Sequence, residues 1–380
     1  MIAIITYSDF PTGTPGAIRY ATFAQTYVDM GFEVVVLNKS YNQKDGTGVQ
    51  SEAVSSGNKY SRYFLFSYRV VKALRRIHIT KSLDGVIIGA DVMAPHAAII
   101  QFWCRSHGVK CIFDVTEWYS KEQFARWQTA IPYWEKNIMN KWVIDKKSRV
   151  IAISSYLYDY FKGKGCKVVN IPIIHNEHNE CTFGACCLPQ DISADKLCII
   201  YAGSHLLMDN IPLIIKAISL VPDSDRTKIK FVIYGLDEDR IKGCVPQDVW
   251  ETAFDSLCIM GRRLNKEVVE AYSKADFSVV LRDPSLRVNK AGFPSKVVES
   301  MRIGVPVICN YSSDLERYLV HNDNSIIVRN LKADTISQLL QELVHMPISD
   351  RQQISRSAKR MVQDKLRSQL FEDELEKIIS

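Results

Sequence analysis

VNKAGFPSKVVESMRIGVPVICN, Val288 to Asn310, decides how the chain is read. A loop carrying Gly292 and Phe293 leads into Pro294, and proline suits a helix start because no N–H donor is needed there. Ser295 to Ile303 then reads as a short helix. Gly304 stops it, and Val305 to Cys309 is an apolar, β-branched run of the kind that fills a buried strand. A loop entering a helix presents free N–H groups and a positive dipole end, so Gly292, Phe293, Pro294, Ser295 and Lys296 form a candidate phosphate lip. Glu299 lies about one turn further in, within reach of an adjoining ribose. A surface helix with a solvated glutamate would show the same pattern, and spacing alone does not separate the two.

Outward from this unit, strand and helix alternate over most of the chain. In the first half the expected strands are Ile2 to Tyr7, Glu33 to Leu37, Gly85 to Gly89, Lys110 to Asp114, Arg149 to Ser154 and Lys167 to Ile173. The second half restarts at Leu197 to Ala202 and continues through Lys230 to Gly235, Ser256 to Met260, Asp276 to Leu281, Val305 to Cys309 and Ser325 to Val328. Helices follow at Asp334 to Val344 and from Asp350 to the end. Two such runs in 380 residues argue for an α/β protein of two doubly wound, Rossmann-like domains. Polar Ile174 to Asp195 reads as a linker between residues 1–173 and 196–350, with 351–380 as a terminal helix. Asn38 to Asn58 reads as a mobile loop.

The composition, 47% hydrophobic and 24% charged, is that of an ordinary globular protein. No apolar run is long enough to cross a bilayer, and the first residues read as a core strand with no signal-peptide pattern. Ten cysteines without a C-x-x-C, several of them in apolar strands, point to reduced buried thiols and a cytoplasmic location. A net charge of +6 suits an anionic substrate or membrane surface and does not point to nucleic acid. His175, His178, Cys181, Cys186 and Cys187 match no standard zinc spacing, and no metal is expected. The pairs Asp223/Asp225 and Asp237/Asp239 sit at apparent helix starts and turns, where capping explains them.

Lys59 to Lys81 holds no Asp or Glu and interleaves Lys72, Arg75 and Arg76 with Phe64, Phe66 and Tyr68. It reads either as the solvated face of a core helix or as peripheral contact with an anionic membrane at the inner face of the plasma membrane. The stripe Trp127, Trp134 and Trp142 reads as packing. Two carboxylates, Asp114 and Glu117, follow a strand end, where doubly wound folds place chemistry. Either can position a hydroxyl or take its proton, and a buried, hydrogen-bonded carboxylate is the plain alternative. Gly13 and Gly16 lie in the first strand-to-helix loop.

The stretch Ala291 to Val307 resembles the donor-binding signature of retaining GT-B glycosyltransferases of the family 4 type, E-x7-E followed by G-x-P-V. Glu299 matches the second glutamate, which binds the ribose in that family, and Ala291 stands where the first glutamate contacts the sugar. Asp114-Val-Thr-Glu117 is similar to the family's D-x-H-E, with Thr116 in the histidine position. The resemblance implies two domains facing a cleft, a terminal helix crossing back to the first domain, and domain closure over the substrates. It implies transfer of a sugar, with retention, from a nucleotide-sugar, UDP-sugar in preference to GDP-sugar, without a metal. The acceptor would be a glycan or polyprenyl-linked hydroxyl in bacterial surface polysaccharide synthesis, with Gly13 and Gly16 on the acceptor side. A non-catalytic scaffold subunit and a nucleotide-sugar epimerase are the alternatives.

A metal-free transferase must neutralise a diphosphate with cations and N–H groups. The family's loop Arg and Lys are missing from Gly203 to Asn210, which leaves Gly203 and Ser204 as backbone contacts. Replacements are expected from Arg262, Arg263, Arg282, Arg287, Lys290 and Lys296, with Arg282 and Lys296 foremost.

Overall fold

The computed structural model describes residues 1–11, 14–39, 43–44, 49–54, 63–124, 126–176 and 196–380. The described chain divides into two compact units. The first comprises Met1–Glu180, Ser285–Phe293 and Leu366–Ser380, and the second Cys181–Pro284 and Pro294–Lys365. The signature stretch is therefore shared, with Phe293 in one unit and Pro294 in the other.

The first unit holds an eight-stranded sheet. Its strands are β1 (Ile2–Ile5), β2 (Val34–Asn38), β3 (Gln43–Lys44), β4 (Val49–Ala53), β5 (Gly85–Ile88), β6 (Lys110–Val115), β7 (Arg149–Ala152) and β8 (Lys167–Asn170). The order is β3-β4-β2-β1-β5-β6-β7-β8, all parallel except the two-residue β3 at the edge. Short unbroken apolar runs such as Ile-Ala-Ile-Ile in β1 are what a parallel sheet covered on both faces requires. Part of the stretch 38–58 expected as a mobile loop is strand, since β4 pairs with β2 over Val34–Asn38, while residues 40–42, 45–48 and 55–58 lie outside the described residues.

Chain direction across the sheet fixes which face each helix covers. The step from β1 to β2 places helix Pro15–Asp29 on one face, capped by the Thr14 hydroxyl accepting from Ala17 N–H at 3.1 Å. Steps in the opposite direction place helices Phe66–Lys81, Ala94–Ser106 and Ile131–Ile138, the last continued by a π-turn at Met139–Val143, on the other face. The chain's end returns to the first face. Helix Glu372–Ile379 buries Leu375, Ile378 and Ile379 among Phe23, Tyr27 and the strand residues Ile112 and Ile151.

That terminal helix is not continuous from Asp350. Helix Ile348–Lys365 belongs to the second unit, and a short 3-10 turn at Ser368–Phe371 intervenes. The isolated bridge between His175 and Arg367 anchors the return, with His175 N–H donating to Leu366 C=O and Ser368 N–H to His175 C=O, both at 2.8 Å. Trp134 and Trp142 are exposed, which overturns their reading as packing.

The second unit holds β9 (Leu197–Ala202), β10 (Ile229–Tyr234), β11 (Leu257–Gly261), β12 (Phe277–Val280), β13 (Val307–Cys309) and β14 (Ser325–Ile327). They form one parallel sheet in the order β11-β10-β9-β12-β13-β14. Leu197, Ile199, Phe231, Phe277 and Ile308 anchor its core beneath the helices Ile211–Ser219 and Ala333–His345. Gly304, at φ 86°, ends helix Ser295–Met301 and β13 begins at Val307. Among the described residues no helix is long and apolar enough to cross a membrane, and no cluster of metal-ligating side chains is present. Of the described cysteines, Cys104, Cys111, Cys166, Cys198 and Cys309 are buried free thiols.

Candidate functional site

In an open parallel sheet, ligands bind outside the carboxyl ends of the strands where strand order reverses. In the second unit that point lies between β9 and β12. Gly203 follows β9, and Arg282 follows Val280 and Leu281 at the end of β12.

Asp209 sits at this point with no solvent exposure. Its carboxylate accepts from Lys296 Nζ at 2.7 Å, Arg282 Nε at 3.0 Å and the Tyr201 hydroxyl at 2.9 Å. Burial alone would raise the carboxyl's pKa, but Lys296 and then Arg282 overrule it and hold Asp209 below its ordinary value. The Tyr201 phenol is pushed up by burial and by the Asp209 charge. Two cations against one carboxylate leave an excess positive charge. Arg282 spends only Nε on Asp209, and its terminal nitrogens have no acceptor among the described residues.

The backbone is shaped around these tips. A Cβ on Gly203 would lie 2.6 Å from both Lys296 Cε and the Tyr201 hydroxyl, so the glycine leaves room for the lysine. Gly235, at φ 86°, brings its own backbone against Gly203, where a Cβ would lie 2.7 Å from Gly203 O. Asn310 fixes Arg282 by accepting from its N–H at 2.8 Å and donating to its C=O at 2.7 Å. Beside Arg282 opens a cleft of about 790 Å3 lined by Asn210, Asp283, Asn310, Tyr311 and Arg329.

Lys296 and Glu299 both come from helix Ser295–Met301. Glu299 is half-buried, its carboxylate has no hydrogen-bond or ion-pair partner among the described residues, and its charge helps burial to raise the Tyr272 phenol. Ser204 and Arg262 are exposed, and Arg262 has no acidic partner among the described residues. Pro294 and Ser295 open the helix that carries Lys296.

Gly292 and Phe293 lie with the first unit, as do Ala291 and Arg287. Ala291 is fully buried, and its C=O accepts from the Ser154 hydroxyl at 2.7 Å. Ser154 also caps helix Ser155–Gly163. The Arg287 guanidinium stacks 4.9 Å from the Trp118 ring centroid, and Lys290 is exposed.

In the first sheet, strand order reverses between β1 and β5. Asp91, beyond β5, accepts from the Thr6 and Ser8 hydroxyls, each at 2.7 Å, while its other oxygen is buried without a hydrogen-bond partner. Gly89 has no space for a side chain, since a Cβ would lie 2.8 Å from Asp91 Oδ1. Gly16 stands beside this crevice near Ser8 and Tyr20. Gly13 lies outside the described residues.

The other two carboxylates of interest differ from each other. Asp114 is buried and held side-on by Arg19, which donates from Nη2 at 2.9 Å and from Nε at 2.9 Å to the second oxygen. Arg19 further donates to the C=O groups of Ile171 and Pro172 and stacks on Phe23. Such a carboxylate ties β6 to helix Pro15–Asp29 and to the chain beyond β8. Glu117 is half-buried and accepts from the Tyr119 hydroxyl. The internal chamber beside both has about 10 Å3, room for one water rather than a substrate.

Asp209 and Asp91 carry no sequence signal of their own, each being a lone aspartate in a strand-to-helix loop. Position alone, at the reversal point of each sheet, identifies them.

Comparison with known proteins adds the following. Residues 189–361 match the family described as glycosyl transferases group 1. No curated protein matches by sequence. The fold is that of several solved GT-B glycosyltransferase structures. HepE from Anabaena, in complex with UDP, superposes with a TM-score of 0.68 at 14% identity, covering 99% of this chain and 98% of that one. WaaG, a glycosyltransferase involved in lipopolysaccharide biosynthesis, gives 0.69 at 13% identity over 100% and 99%. Sucrose-phosphate synthase from Thermosynechococcus elongatus gives 0.70 at 15% identity over 99% and 97%. This chain therefore has the two-domain α/β architecture of GT-B proteins, and residues 189–361 of its second half are similar to the glycosyl transferases group 1 family.

Proposed function

We propose that the protein is a glycosyltransferase that takes its sugar from a nucleotide-sugar, a UDP-sugar in preference to a GDP-sugar, and transfers it with retention to a hydroxyl. The observation that carries this reading is the meeting of Lys296 and Arg282 on buried Asp209 at the reversal point of the second sheet. A diphosphate leaving group develops charge as the glycosidic bond breaks, and fixed cations in a nearly dry site stabilise that charge without reorganising. Lys296 and the terminal nitrogens of Arg282 supply the positive charge that the loop Gly203 to Asn210 lacks. Glu299, without a hydrogen-bond or ion-pair partner among the described residues, receives the ribose hydroxyls. No residue set for a metal is needed in this scheme.

Two solved structures of similar fold hold UDP and UDP-glucose, which supports a uridine nucleotide as donor here. The acceptor would be a glycan or polyprenyl-linked oligosaccharide of a surface polysaccharide, bound by the first unit near Asp91, Thr6 and Gly16. Of the carboxylates there, Glu117 and Asp91 are the candidates to orient the accepting hydroxyl, with Asp114 holding Arg19. Helix Phe66–Lys81 would touch an anionic membrane surface while the protein remains on its cytoplasmic side.

The test is calorimetric titration with UDP, GDP and their sugars, followed by nucleotide-release assays with candidate acceptors. Binding of UDP that is lost in Lys296→Ala, together with sugar-dependent UDP release, supports the proposal. Binding without any release favours a non-catalytic subunit, and no binding at millimolar nucleotide removes the donor site altogether.

A further inference from the structure

The geometry points to a lipid-docking face made of three helices of the first unit, with aromatic side chains that enter the headgroup region of an anionic bilayer. It rests on the membrane contact proposed above for helix Phe66–Lys81 and extends it to two further helices.

The three helices lie side by side on one face of the sheet. Rings from the first two meet, His96 lying 5.5 Å from Phe66 and Trp103 6.1 Å from His78. The second and third are tied by Glu135 accepting from Ala94 N–H at 3.1 Å, and Arg105 of the second pairs at 2.7 Å with Asp145, just beyond the π-turn that continues the third. Each turns an apolar stripe away from the sheet. On Phe66–Lys81 the stripe includes Tyr68, 65% exposed, and Ile79, 84% exposed. On Ala94–Ser106 it is Ile99 and Phe102, the latter 75% exposed. On the third helix and its π-turn it is Trp134, Ile138 and Trp142, the last 79% exposed. A soluble surface scatters such residues singly, and three neighbouring helices sharing them mark an interaction face.

Charge identifies the partner. Neither Phe66–Lys81 nor Ala94–Ser106 contains an Asp or Glu. The acidic residue of the third helix, Glu135, is half-buried and paired with Lys136 at 3.4 Å. Lys72, Arg75 and Lys141 are exposed and have no acidic partner among the described residues. Cations beside exposed tryptophan, tyrosine and phenylalanine match an anionic headgroup layer, where aromatic rings settle at the interface and basic groups meet lipid charge. A two-fold contact with a second copy would instead bring like charges together.

The test uses the full-length protein and flotation on vesicles of phosphatidylglycerol and phosphatidylcholine, against vesicles of phosphatidylcholine alone. The protein should float with the anionic vesicles and lose partition as salt rises. Phe102→Ala/Trp142→Ala and Lys72→Glu/Arg75→Glu should each lower the partition coefficient at least tenfold, with melting temperature and UDP binding unchanged. If Phe102→Ala/Trp142→Ala floats like wild type while the charge reversal does not float, the three-helix face is wrong and the single-helix contact stands. If wild type fails to float, both fall, and UDP titration judges the donor site separately. Self-association abolished by Phe102→Ala/Trp142→Ala in sedimentation velocity, without flotation, would overturn the proposal in favour of a second copy.

Discussion

Asp209→Asn is the most informative single change. The substitution keeps the shape of the side chain and removes the charge that Lys296 and Arg282 share. Asp209 is fully buried, and the two cations have side chains only 14% and 13% exposed. Stripping one partner from a buried ion pair costs about 3–5 kcal/mol, because the remaining charge stays out of water without compensation. For a unit of this size, each 1 kcal/mol moves the midpoint by about 2–4 °C, so the second unit should melt roughly 6–20 °C lower. Nucleoside diphosphate supplies the missing negative charge, and UDP should raise the midpoint of Asp209→Asn by more than that of wild type. The pH dependence has a fixed sign. The folded carboxyl lies below its ordinary value of 3.8, so its stabilisation is complete above about pH 4 and is lost as pH falls towards the lowered folded value. The gap between wild type and Asp209→Asn should close on that acid limb. Differential scanning calorimetry with and without UDP reads all three effects. A midpoint change under about 2 °C at pH 7, with equal responses to UDP, would refute the idea that Asp209 holds the two cations.

Other substitutions report on separate parts of the account. Gly203→Ala should drive Lys296 and Tyr201 off Asp209 and weaken UDP binding about tenfold, near 1.4 kcal/mol by titration calorimetry, because the added Cβ falls 2.6 Å from both tips. Glu299→Ala should weaken UDP more than inorganic pyrophosphate, and equal losses would remove its ribose role. Arg19→Met should destabilise the first unit by about 3–5 kcal/mol in urea unfolding, since Asp114 is left buried and alone. Leu375→Ala should cost about 2–5 kcal/mol by the same measurement, because its side chain is fully buried against helix Pro15–Asp29.

Much of this architecture is legible in the sequence because parallel strands write themselves as short apolar runs. Leu-Cys-Ile-Ile-Tyr-Ala of β9 and Ile-Ala-Ile-Ile of β1 have few other uses. The glycine stop at Gly304 is legible for a similar local reason. What escapes is whatever depends on distant partners. Gln43–Lys44 and Val49–Ala53 are polar enough to read as loop, and only the pairing of Val49–Ala53 along β2 and of Gln43–Lys44 along β4 makes them strands. The break at Ser368–Phe371 follows from His175, far away in the sequence, seizing the backbone on either side of Arg367. Trp142 reads as core by composition and is exposed, since hydrophobicity says nothing of which face a helix turns inward.

The site shows the same division. Arg282, Lys296 and Glu299 stand out as charges beside strand ends or inside a recognisable helix start. Asp209 does not, because its meaning lies in cations 73 and 87 residues further along the chain. The family match over residues 189–361 covers the elements that carry Asp209, Arg282, Lys296 and Glu299, and it does not extend to the first unit's sheet. Asp91 is the clearest instance, paired with two hydroxyls of the loop after β1 that only the folded sheet brings close.

The most direct measurement is a crystal structure of the protein soaked with UDP. The account predicts the β-phosphate within hydrogen-bond distance of Lys296 Nζ and the Arg282 guanidinium, with the ribose at Glu299. A nucleotide bound elsewhere on the second unit, with Lys296 and Arg282 still closed on Asp209 alone, would contradict it.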